Sequence, residues 1–366
     1  MVTKRSIFLY PFSLIYGLIT GIRNFLYNAN LLTSFEFKLP VICVGNITIG
    51  GTGKTPHTEY IISLLRENFR VVTLSRGYKR KTLGFQIATS SSLVSDIGDE
   101  PLQIYRKFPD ITVAVDKNRV HGVNTILIER PETEVIILDD GFQHRKIKPG
   151  FSILLSDFHR LMVRDNLLPY GNLRESTDNM RRADIILITK SPENLSPIQR
   201  RIVVKEIDKA AYQNLFFTSL KYNEPVPLFE NKNSENVISD VSHRKEMNII
   251  LVTGIANPIP LKEYIQNNFG GIVHLDFRDH HQFTNQDIEM ICSTWEKVES
   301  PLKYVFTTEK DAVRLQEFTN IAEPCRSSFY YIPVGIFFLN DDKDEFDKLI
   351  TDYVRKNKRN NRLSEG

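Results

Sequence analysis

The chain has 366 residues, of which 41% are hydrophobic and 25% are charged, and this composition is typical of a globular protein of about two domains. A formal net charge of +3 is too small to indicate nucleic-acid binding by itself. The three cysteines (Cys43, Cys292 and Cys325) are odd in number and widely spaced, which argues against a disulfide scaffold or a zinc cluster and favours a reducing cytoplasm.

The N-terminal segment is uncharged from Ser6 to Ile22, and basic residues flank it. With Pro11 inside, this run is marginal for a bilayer-spanning helix, which needs about 20 apolar residues. One helical face carries Leu14, Ile15, Leu18, Ile22, Phe25 and Leu26. Tyr10, Tyr16 and Tyr27 are expected to lie at the level of the lipid headgroups. We therefore predict a helix over residues 1–30 that lies in a membrane interface. A buried core helix is one alternative; a signal peptide is another, although no small-residue cleavage site precedes Arg23.

A phosphate-binding loop is predicted directly after an apolar strand at Val41–Asn46, where residues 47–55 read I-T-I-G-G-T-G-K-T. The residues expected to bind a nucleotide are Thr48, Ile49, Gly50, Gly51, Thr52, Gly53, Lys54 and Thr55. Lys54 would reach the β- and γ-phosphates, and the Thr55 hydroxyl would ligate Mg²⁺. Thr48 occupies a position where the usual pattern has glycine. The alternative is a glycine-rich turn with a surface lysine.

Two polar turns follow the next predicted elements. The strand at Val71–Leu74 ends in Ser-Arg-Gly-Tyr-Lys-Arg-Lys, residues 75–81, which suits an anionic ligand but equally suits a solvated basic loop. Asp99 and Glu100 then occupy a Gly-Asp-Glu-Pro turn. By spacing alone a helix N-cap is favoured over a catalytic carboxylate.

A third strand, residues 134–138, runs into Asp139 and Asp140, and a carboxylate at a strand tip is the expected Mg²⁺ partner of a phosphate loop. A later loop, residues 167–176, presents Arg174 beside Glu175, which is another candidate Mg²⁺ ligand. Strands and helices alternate along this region. The fold class predicted is therefore α/β, a P-loop NTPase-type doubly wound, mostly parallel sheet over residues 31–221.

The residue composition changes at 222–246, where turn and polar residues replace the periodic hydrophobic pattern. This change predicts a linker. A smaller α/β domain is predicted at 247–350. It contains His280, followed by a helix that Thr284 caps. The basic tail, 351–366, is expected to fray.

Taken together, these motifs resemble the bacterial tetraacyldisaccharide 4′-kinases over nearly the whole chain past residue 38. The phosphate loop alone is common to many functions, but seven further motifs occur here in the same order. They are Ser75–Tyr78, Gly98–Pro101, Asp139–His144, Leu168–Glu175, Gly254–Pro258, Asp279–His280 and Thr308–Ala312. The family itself lacks the first loop glycine. Lys79, where the family pattern carries glycine, and Ser176, where proline is common, depart from it.

The resemblance implies transfer of the ATP γ-phosphoryl group, with Mg²⁺, to the 4′-hydroxyl of an acylated glucosamine disaccharide 1-phosphate. This reaction belongs to lipid A biosynthesis at the cytoplasmic face of the inner membrane, with no nucleic acid and no required protein partner. Asp99 would be the base, working with His280, and the small domain would close over the nucleotide. The substrate-binding residues implied are Arg76, Tyr78, Gln143, His144 and Arg174.

Two other classes share parts of the pattern. A membrane-tethered GTPase switch would need an Asn-Lys-x-Asp guanine reader, and neither residues 188–191 nor 309–311 supply one. A soluble ligase that activates carboxylates shares the fold but has no use for the apolar N-terminus.

Overall fold

The structure is a computed structural model that describes residues 7–229 and 241–364. Residues 1–6 of the predicted N-terminal helix, 230–240 of the predicted linker and 365–366 of the tail lie outside the described residues. The chain divides into two compact units. The first comprises Met1–Ser90, Ile104–Leu220 and Ile336–Gly366, and the second comprises Ser91–Gln103 and Lys221–Gly335.

This division differs from the predicted bounds in two places. The segment that carries Asp99 belongs to the second unit, where the backbone amide of Val94 donates to Glu317 Oε1 at 2.9 Å. The C-terminal segment belongs to the first unit, and its helix continues to Ser364 although a frayed tail was expected from residue 351. Burial of Phe346 and Val354 explains why this part of the chain stays helical.

The helices and strands follow one another in an order that largely alternates. The elements that lie wholly or mostly in the first unit are α1 (Tyr10–Asn28), β1 (Val41–Gly45), α2 (Lys54–Arg66), β2 (Val71–Ser75), β3 (Gln86–Ile87), β4 (Thr112–Val115), α5 (Arg119–Glu129), β5 (Val135–Asp139), β6 (Phe151–Asp157), β7 (Ile185–Thr189), α6 (Pro197–Ile207), β8 (Asn214–Tyr222), β14 (Val334–Phe338) and α10 (Lys343–Ser364). The short α3 (Val94–Ile97) precedes α4 (Asp99–Lys107), which begins in the second unit and ends in the first.

The first sheet has nine strands among the described residues, in the order β14-β8-β7-β6-β1-β5-β2-β4-β3. β1 pairs in parallel with β5, Val41 opposite Ile136, and with β6, Ile42 opposite Phe151. Every residue of β1, β2, β5 and β7 is buried, as expected for strands covered on both faces. The predicted doubly wound, mostly parallel sheet is confirmed. The carboxyl ends of β1, β2, β5, β6 and β7 therefore lie along one edge.

Helix α1 turns its polar side toward the protein. Ser13 donates to the carbonyl of Leu167 at 2.7 Å, and Asn24 Nδ2 donates to Glu175 Oε2 at 2.9 Å. The apolar side chains left exposed are Phe12, Leu14, Ile15, Leu18, Ile19, Ile22 and Phe25. This placement excludes the buried core helix considered as an alternative. Across residues 7–229 and 241–364, no helix is long and apolar enough to cross a membrane.

The second unit is built on its own five-stranded sheet among the described residues, in the order β11-β10-β12-β13-β9. Its strands are β9 (Val226–Pro227), β10 (Asn248–Thr253), β11 (Ile272–Asp276), β12 (Lys303–Thr308) and β13 (Phe329–Ile332), and its helices include α7 (Ile259–Asn268), α8 (Asn285–Lys297) and α9 (Glu309–Leu315). One core contains Trp295 and Phe329, and another contains Phe269 and Phe306.

The prediction that the cysteines form no disulfide scaffold did not anticipate one disulfide bond. Cys292 and Cys325 form a disulfide in the first of these two cores, whereas Cys43 is a free, buried thiol. Their separation of 33 residues gave no local signal, because packing of α8 beside the segment before β13 brings the two sulfurs together.

Candidate active site

The phosphate loop connects the end of β1 to the start of α2. Gly50 and Gly53 have φ angles of 97° and 84°, which favour glycine, and Gly53 is the N-cap of α2. Thr48 instead forms an isolated antiparallel bridge with Leu173, and Ile49 N–H donates to the carbonyl of Asn172 at 2.8 Å. An ordinary side chain is accommodated in such an extended position, so the missing glycine does not disturb the loop. A helix N-terminus reached through glycines is suited to an anion.

The predicted lysine and acids come together beside this loop. Lys54 Nζ lies 3.6 Å from Asp140 Oδ1, and Arg174 Nη1 lies 3.8 Å from Asp140 Oδ2. Asp139 is buried at the tip of β5 and accepts a hydrogen bond from Thr58 Oγ1 at 3.0 Å. Arg174 also donates to Gln143 Oε1 at 3.2 Å. Contacts of 3.6 and 3.8 Å are weak ion pairs, so these side chains retain capacity for a charged ligand.

Glu175 is directed differently from the other candidate metal ligands. Its Oε2 accepts from Asn24 Nδ2 and from Arg182 Nη2, each at 2.9 Å, and the residue is buried. Its carboxylate thus holds α1 to the body of the first unit. Across the described part of the chain, no group of three or more His, Cys, Asp or Glu side chains is arranged to hold a metal by itself.

The remaining candidates for substrate binding are spread around the same edge. Burial, with the positive charge of Arg119, lowers the pKa of His144 to about 4, against the opposing effect of Asp140, so the ring is neutral at pH 7. Arg76 follows β2 and contributes to the electrostatic field at His144. Tyr78 is exposed. Lys79 has a φ of 62°, which explains why glycine suits this position and shows that the loop keeps the required turn with a lysine.

Arg119 is a site residue that the sequence analysis missed. It is only 3% exposed, at the start of α5, and Nη1 donates to the carbonyl of Asp116. Burial lowers its pKa to about 10, with Asp139 and Asp140 opposing that effect. Among the described residues, Nε and Nη2 of Arg119 have no hydrogen-bond partner. A basic residue just after a strand's carboxyl end was the available signal.

A second cluster, the Asp99 cluster, lies within the second unit and consists of Asp99, His280, Lys310 and Arg314. His280 Nδ1 lies 2.7 Å from Asp99 Oδ2, and Arg314 Nη2 donates to the same oxygen. Lys310 Nζ lies 3.0 Å from His280 Nε2. Because an ammonium can only donate, Nε2 is the acceptor and the ring proton sits on Nδ1, directed at Asp99. His280 takes no part in capping α8, because Thr284 Oγ1 and Asp287 form that cap.

Asp99 is charged despite being buried. Burial raises its pKa, but hydrogen bonds from His280 and Arg314 and the charges of Arg314 and Lys310 outweigh that effect and hold the pKa well below its usual range. Domain closure is not needed to bring Asp99 to His280, because both residues belong to the second unit. Lys310 and Arg314 were not assigned a role, although Lys310 lies in a recognised motif.

Comparison with known proteins identifies the family. The family model described as tetraacyldisaccharide-1-P 4′-kinase matches residues 5–355. This chain belongs to that family. The tetraacyldisaccharide 4′-kinase of Bacteroides thetaiotaomicron is 45% identical, over 98% of this chain and 95% of that protein. The one from Phocaeicola vulgatus is also 45% identical, over 99% of this chain and 98% of that protein.

A solved structure agrees with this assignment. LpxK from Aquifex aeolicus, crystallised in complex with ATP, superposes with a TM-score of 0.73 at 26% identity, covering 94% of this chain and 98% of that one. The predicted family membership and fold class are confirmed, and the chain is a kinase.

Proposed function

We propose that this kinase transfers the γ-phosphoryl group of ATP to the 4′-hydroxyl of a tetraacyldisaccharide 1-phosphate, giving the 4′-phosphorylated lipid A precursor, lipid IVA. The acceptor oxygen bonds to the γ-phosphorus, the bond from that phosphorus to the ADP oxygen breaks, and the hydroxyl proton passes to a base. The observation that carries the proposal is the phosphate loop of a family member with Lys54, Asp139, Asp140 and Arg174 gathered beside it.

ATP binding is assigned to the loop itself. The loop amides that follow Ile49 and the side chain of Lys54 would surround the triphosphate, and the relative from Aquifex aeolicus was crystallised with ATP. Positioning and neutralisation of charge supply most of the acceleration in phosphoryl transfer. Lys54 and the guanidinium groups of Arg119 and Arg174 are the cations available for this task.

Mg²⁺ would be held by Thr55, Asp139 and Asp140. Mg²⁺ commonly binds to one or two carboxylates together with substrate phosphates and waters, so the lack of a ready-made cluster of three side chains agrees with this role. Bound Mg²⁺ would neutralise charge on the transferring phosphoryl group. Glu175 fits this role less well, since its Oε2 already pairs with Arg182.

The acceptor side is assigned to Arg76, Tyr78, Gln143, His144 and Arg174. The guanidinium group of Arg174 suits a phosphate, here the 1-phosphate of the substrate. Gln143 Oε1 orients that group by accepting a hydrogen bond from Arg174 Nη1 at 3.2 Å. A neutral His144 has one N–H donor and one acceptor, which suits a sugar hydroxyl.

Proton removal is assigned to Asp99 acting with His280. A positioned base typically contributes about 10²–10⁴-fold. Asp99 accepts the proton while His280, hydrogen-bonded to it at 2.7 Å, orients it or passes the proton on. Lys310 fixes the ring tautomer of His280 in the resting arrangement, and Arg314 keeps Asp99 ionised.

The exposed apolar face of α1 is assigned to the membrane. Its polar side chains face the protein, so the apolar face is left for lipid, at the cytoplasmic side of the inner membrane where ATP is available. The substrate carries acyl chains, and a helix in the interface brings the enzyme to it.

The decisive test measures ADP release with and without the tetraacyldisaccharide 1-phosphate and identifies the product by mass spectrometry and 4′-specific phosphatase digestion. We expect ADP release to require the lipid and one phosphate to be added at the 4′ position. ADP release that ignores the lipid, or a preference for GTP, would overturn the proposal.

A further inference from the structure

His57 is a buried histidine that the proposed reaction does not use. It lies in the first turns of α2 and is 1% exposed. Nδ1 lies 2.7 Å from the carbonyl oxygen of Gly53 in the phosphate loop. Nε2 lies 2.8 Å from Thr218 Oγ1, a fully buried hydroxyl in β8. Both ring nitrogens are therefore engaged, one by the loop and one by the sheet.

The chemistry of the two contacts fixes the ring's protonation. A carbonyl oxygen only accepts, so Nδ1 must carry the hydrogen that it donates to Gly53. With its one hydrogen on Nδ1, the neutral ring presents Nε2 as an acceptor to the Thr218 hydroxyl. The Thr218 hydroxyl then donates to Nε2. The result is a directional chain of hydrogen bonds from β8 to Gly53.

The Gly53 carbonyl matters because of what shares its peptide plane. In a trans peptide the C=O and the next residue's N–H point in opposite directions. A ring that holds the Gly53 carbonyl on one side therefore turns the Lys54 amide toward the other, where the phosphates bind. Gly53 has a φ of 84°, and the backbone N–H of His57 also donates to its carbonyl at 3.4 Å, so the ring supplies the shorter of the two hydrogen bonds to that carbonyl.

Other side chains hold neighbouring carbonyls of the loop in the same way. Arg160 Nη2 donates to the carbonyl of Ile49 at 2.6 Å, and Thr189 Oγ1 donates to that of Thr52 at 2.8 Å. Lys190 Nζ donates to the carbonyl of Gly51 and pairs with Asp157 at 2.9 Å. By the same peptide geometry these contacts orient the amides that follow, those of residues 50, 52 and 53.

We propose that His57, held in its Nδ1–H tautomer by Thr218, is a positioning residue that sets the Lys54 amide for ATP. This inference rests on the proposed function and names a residue that prepares the phosphate loop. His57 acts on nucleotide binding and not on the acceptor hydroxyl, so its loss weakens ATP binding while turnover at saturating ATP changes little.

The test separates the two ring nitrogens. In His57→Asn the amide nitrogen replaces Nδ1, and in His57→Gln it replaces Nε2. We expect the ATP Kd, measured by isothermal titration calorimetry with Mg²⁺, to rise about tenfold or more in His57→Gln and His57→Leu and to stay near wild type in His57→Asn. Thr218→Val, which frees the ring tautomer, should give a smaller rise. Melting temperatures are recorded for all variants.

The second unit offers a matched control. His274 Nε2 lies 2.8 Å from Thr253 Oγ1, so His274→Leu removes a comparable Thr–His contact outside the phosphate loop and should leave the ATP Kd unchanged. An unchanged Kd in folded His57→Leu, or equal loss in His57→Asn and His57→Gln, overturns the inference. If His57→Leu does not fold, a wild-type Kd in both His57→Gln and Thr218→Val overturns it. Unchanged ATP binding in Lys54→Ala would instead contradict the proposed function.

Discussion

The phosphate loop and the Asp99 cluster handle charge in opposite ways. Around the loop, Lys54 and Arg174 approach Asp140 no closer than 3.6 and 3.8 Å, and the rest of the positive potential comes from backbone amides. Around Asp99, His280, Arg314 and Lys310 form a buried network with contacts of 2.7 and 3.0 Å and a direct ion pair to Arg314. The loop is suited to a charged ligand, whereas the charge of Asp99 is already balanced by cations of its own cluster.

The largest expected effect tests whether the Asp99 cluster works as one unit. Asp99→Ala and His280→Ala should each lower kcat by about 10²–10⁴-fold, with ATP Kd nearly unchanged, because each removes part of the proposed general base. The double variant should be little worse than the worse single one, since groups that act as a unit lose their contribution together. Steady-state kinetics over the four proteins measures this.

The second compact unit also contains a matched control for the Asp99 and His280 double-mutant cycle. His281 Nε2 lies 3.0 Å from Asp287 Oδ2, a neighbouring His–Asp pair that belongs to the cap of α8. His281→Ala should cost stability and leave kcat near wild type. If the fold losses in kcat of the two single variants multiply in the double variant, Asp99 and His280 act independently. The description of the Asp99 cluster as one unit would then be wrong.

The second prediction concerns the positive charge that Lys54 contributes to the phosphate loop. Lys54→Ala should lower kcat/KM by about 10²–10³-fold, because a cation aimed at developing charge in a desolvated site typically contributes that much. Lys148→Ala, which removes an exposed lysine paired with Glu36, is the control. Normal turnover in Lys54→Ala would remove the phosphate-loop interpretation altogether.

A third prediction separates the candidate metal ligands. Asp139→Asn and Asp140→Asn should raise the Mg²⁺ concentration needed for half-maximal activity by about tenfold or more. Glu175→Gln should leave that concentration unchanged and should loosen α1 instead, because Glu175 accepts from Asn24 on that helix. A Mg²⁺ titration of each variant decides this, and a shift confined to Glu175→Gln would reverse the assignment.

The fourth prediction concerns the exposed face of α1. Leu18→Ser with Ile22→Ser should reduce sedimentation with anionic vesicles and raise the KM for the lipid substrate several-fold, with ATP KM unchanged, because buried apolar area drives interfacial binding. Ile128→Ser, on α5, removes another exposed apolar side chain and serves as control. Equal vesicle binding in all three proteins would contradict the membrane assignment.

The two regions also differ in how far the sequence predicts them. The phosphate loop is contiguous, so the glycines, Lys54 and the acids at the tip of β5 follow from a strand–loop–helix pattern and the parallel sheet. The contact between Asp99 and His280 spans 181 positions, and only resemblance to a family suggested it. Arg314, Lys310 and the Cys292–Cys325 bond depend on packing between distant segments, for which no local spacing exists. The partners of the polar side of α1 could not be predicted for a related reason: a helical wheel shows two faces but does not show which distant residues a face will meet.

The smallest expected effect is a dependence of stability on pH that the buried histidines impose. The pKa of His57 is about 4 in the folded protein and 6.5 in the unfolded chain, and the pKa of His144 differs between the two states in the same way. Between those values the unfolded chain binds more protons, so the stabilisation present above pH 6.5 is lost as pH falls toward 4. Each histidine adds a slope of at most about 1.4 kcal/mol per pH unit to the free energy of unfolding.

Urea unfolding at successive pH values from 7 to 4.5 measures this slope. His57→Leu should flatten it, whereas His159→Leu, at an exposed position, should not. Asp99 acts in a lower window, because its folded pKa lies below the unfolded value of 3.8, and its contribution is lost only as pH falls below that value. If His57→Leu leaves the slope unchanged, the ring is not neutral and buried in solution. Nε2 could then no longer accept from Thr218, while the donation from Nδ1 to Gly53 and the ion pairs around Asp99 would stand unaffected.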